Sequence, residues 1–212
     1  MNTFLFEQIE NALQLAILVI LTAVSIRRGL LTGNNSWSQL AMFYGAVTLG
    51  NLYWFLYMML YDKTPYYGFI SDFSWVAAYM FLILMLVQIR ENRIIWRQDR
   101  YLWPVPVFTF AMAVFYMRWG DYLTNIFYAL CMTVLLSNAL AGIRRSAKGS
   151  GKRLLYFSCL AYCLVEYSLW TVSCFSWDFL PVNPYNMCDL ILSGVYVLLF
   201  TATGKAVEDE LH

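Results

Sequence analysis

The chain has 212 residues, of which 61% are hydrophobic and only 13% charged, and its formal net charge is +1. A soluble domain carries about 25% charged residues, and one core in a chain of this length could not hide so much apolar surface. The composition therefore excludes an ordinary water-soluble globule, and the near-neutral charge offers no electrostatic footprint for nucleic acid.

A spanning helix needs about 20 apolar residues, and seven segments meet or approach that length. The first covers residues 8–26. Glu7 and Glu10 stand at its start, where a cleavable signal would carry Lys or Arg, so it reads as a retained helix. Asn11 and Gln14 share one of its faces, and Arg27 and Arg28 open a loop at 27–37. The second segment, 38–61, holds Asn51 near its middle and Trp54 three residues on. The third, 70–89, carries Asp72 near its start, with Trp75 and Tyr79 on the same face, and is followed by an arginine-rich loop at 90–101. The fourth, 102–117, is the shortest and begins with Pro104 and Pro106. The fifth, 122–143, places Asn125 and Tyr128 on one face, with Asn138 further along. Gly149, Ser150 and Gly151 then read as a flexible joint. The sixth segment, 154–176, has Glu166 at its centre, with Tyr162 and Trp170 one turn away on either side. The seventh, 186–204, carries Asp189, Ser193 and Tyr196 on one face and leaves residues 205–212 as a short acidic tail.

Basic residues predict the orientation. Of the fourteen Lys and Arg, all but Lys63 and Arg118 fall after the first, third, fifth and seventh segments. That side is expected to be cytoplasmic, with the N-terminus outside and the C-terminus inside. The opposite side carries Glu7, Glu10, Asp62, Asp121 and Asp178, with Asp72 and Asp189 at helix mouths.

The chain also repeats itself. Arg27-Arg28 recurs as Arg144-Arg145, Trp54 and Asp62 recur as Trp170 and Asp178, and Asp72 and Tyr79 recur as Asp189 and Tyr196. The offsets are 117, 116 and 117 residues. The expected fold is an all-α integral membrane domain, residues 1–212, of two parallel three-helix repeats (about 8–89 and 122–204) joined by a linker helix at about 102–117. Such a plan resembles the 3+1+3 superfamily of SWEET-type sugar transporters and nicotinamide-riboside transporters, and the seven-helix plan of rhodopsin-like and G-protein-coupled receptors. The Ser71–Tyr79 run, S-D-x-x-W-x-x-x-Y, is similar to the seven-helix sensor modules of some bacterial signalling proteins. The resemblance implies a ligand site between the repeats; the first, second, fifth and sixth segments lack the prolines of SWEET repeats, and no family's site residues carry over.

The candidate site follows from cost. A carboxylate at the centre of a bilayer costs at least a few kcal/mol and normally faces a bundle interior. Glu166 and Asn51 lie at similar depth in equivalent segments, with Trp170 and Trp54 about one turn towards the outside and Tyr162 one turn the other way. These five are the expected ligand-binding residues; the competing reading is hydrogen-bonded glue between helices. Asp72 with Tyr79 and Asp189 with Tyr196 form an expected outer gate, and the competing reading is helix capping by acids at N-termini. An acidic, aromatic lining suits an organic cation. The sole histidine is His212, so metal sites and His-based catalysis lack their residues, and no cofactor is expected. Cys174 and Cys188 fall near the outer ends of the last two segments, where a disulfide is open to them.

Three functional classes emerge. The first is a small-solute transporter for a polar or cationic solute, multi-pass in a bacterial inner or plasma membrane. The second is a seven-helix receptor or sensor subunit working through a signalling partner. The third is a membrane enzyme acting on lipid, for which no motif speaks. The expected partners are the bilayer and a small-molecule ligand; the sequence is also compatible with a homo-oligomer.

Overall fold

The computed structural model describes residues 3–61, 69–89, 98–175 and 183–211, together with Lys63 and Ile94. Seven α-helices make up this part of the chain: α1 (Thr3–Thr32), α2 (Asn35–Tyr61), α3 (Phe69–Ile89), α4 (Pro104–Tyr116), α5 (Tyr122–Arg145), α6 (Gly151–Ser173) and α7 (Pro184–Leu211). Among the described residues there is no strand.

Five of these helices, α1, α3, α5, α6 and α7, are both long and apolar enough to cross a membrane. α2 has the length, at 27 residues, but Trp37, Tyr44, Asn51, Tyr53, Trp54 and Tyr57 lower its mean hydropathy. α4 corrects the expectation at 102–117. A 3-10 turn occupies Arg100–Leu102, and the helix proper has 13 residues. At 1.5 Å per residue that is about 20 Å, short of the ~30 Å hydrocarbon core. Pro104 sits at the first helical position, where its missing N–H leaves nothing unsatisfied.

The connections are tighter than the hydropathy suggests. α1 runs on through Arg27 and Arg28, so the expected loop at 27–37 contracts to Gly33 and Asn34. Gly33 ends the helix at φ 64°, a left-handed conformation that glycine adopts without a Cβ penalty. Its N–H bonds the Gly29 carbonyl at 2.9 Å, and the Asn34 side chain accepts from Ser36 N at 2.8 Å to start α2. Asp121 starts α5 in the same manner, accepting from Thr124 N at 2.9 Å and from its hydroxyl. Those two bonds hold its carboxyl below the usual range.

The joint at Gly149-Ser150-Gly151 is also corrected. Ser150 caps α6 by accepting from Arg153 N at 3.2 Å, and Gly151 is already helical and buried. A Cβ on Gly151 would lie 2.3 Å from the Lys205 carbonyl carbon. The first turn of α6 is thus pressed against the backbone of α7. The residues expected as an acidic tail continue α7: Ala206 and Val207 are buried, and Asp209 accepts from Gly151 N at 2.6 Å.

The long helices close a ring. α1 packs on α2, α2 on α3, α3 on α5, α5 on α6, α6 on α7, and α7 on α1, while α2 also meets α7. α4 packs against α5 and reaches α6 through Tyr116, which donates to the Tyr167 carbonyl at 3.1 Å. The ring is filled by aromatic side chains. Phe43, Tyr44, Tyr79, Tyr162 and Tyr196 are at most 2% exposed and pack mainly edge-to-face or tilted at centroid distances of 5.1–6.3 Å. The outer faces are apolar as well, with Leu30, Leu60, Val107 and Phe110 each more than 60% exposed. An outer surface of that kind suits lipid.

The arginine-rich end is anchored through rings and one ion pair. The Arg28 guanidinium lies 4.7 Å from the Trp37 ring and 4.9 Å from the Phe200 ring, and Arg144 lies 4.2 Å from Tyr101. Arg145 pairs with Asp99 at 2.6 Å.

The α6–α7 contact generates the first test. Gly151→Ala drives a methyl group into rigid backbone and is expected to destabilise the bundle by about 1–3 kcal/mol. Gly194, with open space around its Cβ position, serves as the control. There the alanine is expected to be neutral or stabilising, by up to about 1 kcal/mol. Thermal unfolding of the two purified variants in the same detergent makes the comparison.

Candidate functional site

At the end of the ring where α2 and α6 finish and α3 and α7 begin, a cavity of about 480 Å³ opens between the helices. Its wall takes Asn11 and Gln14 from α1, Asn51 and Trp54 from α2, Trp75 and Tyr79 from α3, Glu166, Leu169, Trp170, Val172 and Ser173 from α6, and Asp189, Leu192 and Tyr196 from α7. Phe175, Asn183 and Tyr185 complete it where α6 ends and α7 begins. Helical spacing explains why these side chains converge: 11 and 14, 51 and 54, 75 and 79, 166 and 170, and 189, 192 and 196 each return to one helix face.

Seven of the nine expected site residues line this cavity: Asn51, Trp54, Glu166, Trp170, Tyr79, Asp189 and Tyr196. The other two lie behind its wall. Tyr162 is buried at the centre of α6, and with Tyr79 it lies beside the Glu166 carboxyl. Asp72 stands in the seam between α3 and α5, where its Oδ1 accepts from Tyr128 Oη at 3.3 Å. The gate pictured as Asp72 facing Asp189 across one opening is therefore corrected, because only Asp189 borders the cavity. Asn125 and Tyr128, which share a face of α5, lie outside the cavity wall: Asn125 donates to the Tyr116 carbonyl at 3.4 Å, and Tyr128 stacks on Trp170 at 5.1 Å. The depth shifts as well. α6 begins at Gly151, so its midpoint is Tyr162, and Glu166 lies about 6 Å nearer the open end.

The most specific feature of the wall is a directional chain of hydrogen bonds. Trp75 Nε1 donates to Asn51 Oδ1 at 3.2 Å, the Asn51 amide donates to Gln14 Oε1, and Gln14 Nε2 donates to Asp189 Oδ1 at 2.9 Å. Gln14 also reaches the Asp189 carbonyl at 3.3 Å. The two ends fix the sense of the chain, since an indole N–H can only donate and an ionised carboxylate can only accept. Both amides must therefore point the same way. The relay ties α3, α2, α1 and α7 together with donors all directed at one carboxylate. Gly50 makes room for it: a Cβ there would sit 2.8 Å from Trp75 Nε1.

The electrostatics are one-sided. Glu166 and Asp189 are each 7% exposed and close enough to repel one another. Among the described lining residues there is no Lys, Arg or His. Aromatic rings supply negative faces beside the acids: Trp170 packs against Tyr79 at 6.3 Å, and Trp54 against Trp75 at 6.1 Å. A monovalent cation of small organic size would meet charge from the acids and quadrupole attraction from the rings.

No family model, curated protein or solved structure matches the chain. The chemistry of the cavity therefore rests on its own residues. Among the described residues, no group of His, Cys, Asp or Glu is arranged to hold a metal ion. Cys174 and Cys188 are free thiols rather than a disulfide. Cys174 donates to the Trp170 carbonyl at 3.2 Å, and burial pushes its thiol above the ordinary value, away from reactive thiolate.

In the sequence Gln14 showed only a helix face shared with Asn11, and Asn51 was given a ligand role. The structure makes both of them links in the relay. Leu169, Val172 and Ser173 carried no signal, because apolar and small residues on a helix face look alike whether they meet a cavity or a neighbouring helix. Asn183 had one available: an Asn before Pro is a turn-and-cap pattern, and its Oδ1 does accept from Tyr185 N at 3.0 Å.

Asn51→Ala removes two interhelical bonds at once. A typical interhelical bond in a bilayer contributes about 0.6 kcal/mol and the strongest about 1.7, so a loss of about 1–3 kcal/mol is expected. Gly50→Ala, which leaves both amides in place, is expected to displace Trp75 and shift the tryptophan fluorescence. Unfolding curves beside emission spectra check both; an unchanged spectrum in Gly50→Ala would refute the packing of Trp75 over Gly50.

Proposed function

We propose that this multi-pass membrane protein binds a small cationic solute in the cavity between Glu166 and Asp189 and carries it across the bilayer. The observation that supports the reading best is the pairing of two buried acids with aromatic faces and no basic residue in the described wall. A carboxylate is costly to bury inside a bundle, and a bound cation would offset that cost.

The arrangement of the helices supports a transporter built from two parallel three-helix units. Exchanging α1, α2 and α3 with α5, α6 and α7 maps each ring contact onto another: α1–α2 onto α5–α6, α2–α3 onto α6–α7, and α3–α5 onto α7–α1. The two seams between the units carry matched acids, Asp72 with Tyr128 of α5 and Asp189 with Gln14 of α1. Of the motif residues, Asp62 and Asp178 lie outside the described residues. Parallel repeats with a polar site at their interface are a recurring transporter plan. The basic residues favour the arginine-rich end as cytoplasmic, so the cavity would open outward.

A receptor or sensor subunit is the second reading, and the relay favours it. A ligand that disturbed Asp189 would act on four helices through one chain of bonds. The absence of Pro within α1, α2, α3, α5 and α6 also argues for few hinges.

Tetramethylammonium is a suitable probe, since it carries charge and cannot donate hydrogen bonds. Glu166→Gln is expected to weaken its binding at least about tenfold, or 1.4 kcal/mol, with little change in unfolding temperature. Trp170→Ala is expected to cost about 0.5–2 kcal/mol of binding. Full binding by Glu166→Gln would remove Glu166 from the site. Uptake into proteoliposomes separates the readings: binding without uptake favours the sensor, and uptake that Glu166→Gln abolishes favours the carrier.

A further inference from the structure

We infer that the arginine-rich end carries a second site, a seat for an anionic phospholipid headgroup between the α5–α6 joint and α7. A concavity of about 450 Å³ lies there, and Lys148, Arg153 and Lys205 contribute three positive side chains to it. None of the three forms an ion pair among the described residues. Arg145 differs, since it is paired with Asp99.

The first N–H of α6 is not what binds the headgroup. Asp209 already occupies Gly151 N at 2.6 Å. That acid reduces the local charge without cancelling it, so a net surplus of cations remains at the groove.

The apolar side of the groove favours a lipid over a free anion. Leu154 and Phe157 line it, and Phe157 is 45% exposed on the outer face of α6. Phe157 is six residues beyond Gly151, or about 9 Å deeper along the helix axis. The Arg153 guanidinium sits 5.6 Å from the Phe157 ring, bridging the charged and apolar levels. An amphiphile has that same order, with a phosphate at the mouth and chains below. Basic pockets at the ends of transmembrane helices recognise anionic headgroups on this principle.

The test uses the full chain in neutral detergent, with native mass spectrometry reading retained lipid. Phosphatidylglycerol is expected to be retained in preference to phosphatidylcholine. Each cation contributes about fivefold at a surface of this kind, so K148Q/R153Q/K205Q is expected to weaken retention roughly a hundredfold. Because Arg153 lies in the first turn of α6, K148Q/K205Q is the second variant, altering two exposed side chains only; a loss of about 25-fold is expected. Phe157→Ser is expected to weaken long-chain phosphatidylglycerol while leaving soluble glycerol phosphate unaffected. Retention unchanged in K148Q/K205Q would overturn the site. Displacement of the lipid by inorganic phosphate at equal concentration would overturn the lipid assignment in favour of a free-anion site.

Discussion

A carboxylate inside an apolar bundle has to find its donors within the bundle, and the arrangement around Asp189 and Glu166 follows from that constraint. Asp189 takes its donors from Gln14 on a different helix, and Gln14 is oriented by Asn51, which is oriented by Trp75. Glu166 has two tyrosines as its neighbours, Tyr162 from its own helix and Tyr79 from α3. Four of the six ring helices are thus aligned by the need to satisfy one acid, and α6 is set against one of those four, α3, by the need to satisfy the other. The ring-on-ring and aliphatic contacts beside them tolerate rotation and sliding far better than a chain of directed bonds does.

Packing at the opposite end works on another principle. There the helices approach through small residues and are locked by backbone. Gly151 admits α7 against the first turn of α6, and Gly142 lies so close to Tyr156 that a Cβ would fall 2.3 Å from its ring. Arg28 completes this end by filling a slot between Trp37, Phe200 and Gly204. One end of the bundle is therefore held by close contact and the other by polar bonds around a void.

The features legible in the sequence were those with a period or a cost. Long apolar runs located the helices, and helical spacing grouped Asn51 with Trp54 and Glu166 with Trp170 before any partner was known. The cost of burying Glu166 pointed inward. Hydropathy averages lost whatever depends on single residues at helix ends. Gly33 and Asn34 make a two-residue turn where polar residues suggested a longer loop, and Asp209 recruits the last turns of α7 where acidic residues suggested a tail. α4 is shorter than the apolar run at 102–117 because Trp103, Leu102 and Met117 extend the run without extending the helix. Asp72 and Asp189 look equivalent in sequence, yet their environments diverge through their partners: Tyr128 fills the space beside one and stacks on Trp170, while Gln14 leaves the other at the edge of a cavity. Partner identity across a helix interface has no local signature.

The tyrosine layer beneath the acids has a mechanical consequence. Tyr44, Tyr79, Tyr162 and Tyr196, with Phe43, pack across the middle of the ring, and Tyr44 is tied to the Tyr196 carbonyl at 2.6 Å. These rings fill the middle of the helix ring. α2, α3 and α6, which carry four of the five rings, have no proline within them at which to bend. The stiffness of the scaffold transfers any opening to its most local elements: rings that swing about χ1 and χ2, or the α1–α7 and α3–α5 seams. On the carrier reading proposed above, a turned phenol ring would admit only what fits past it, so the size limit would be set by side-chain rotation and not by the width of the mouth above it.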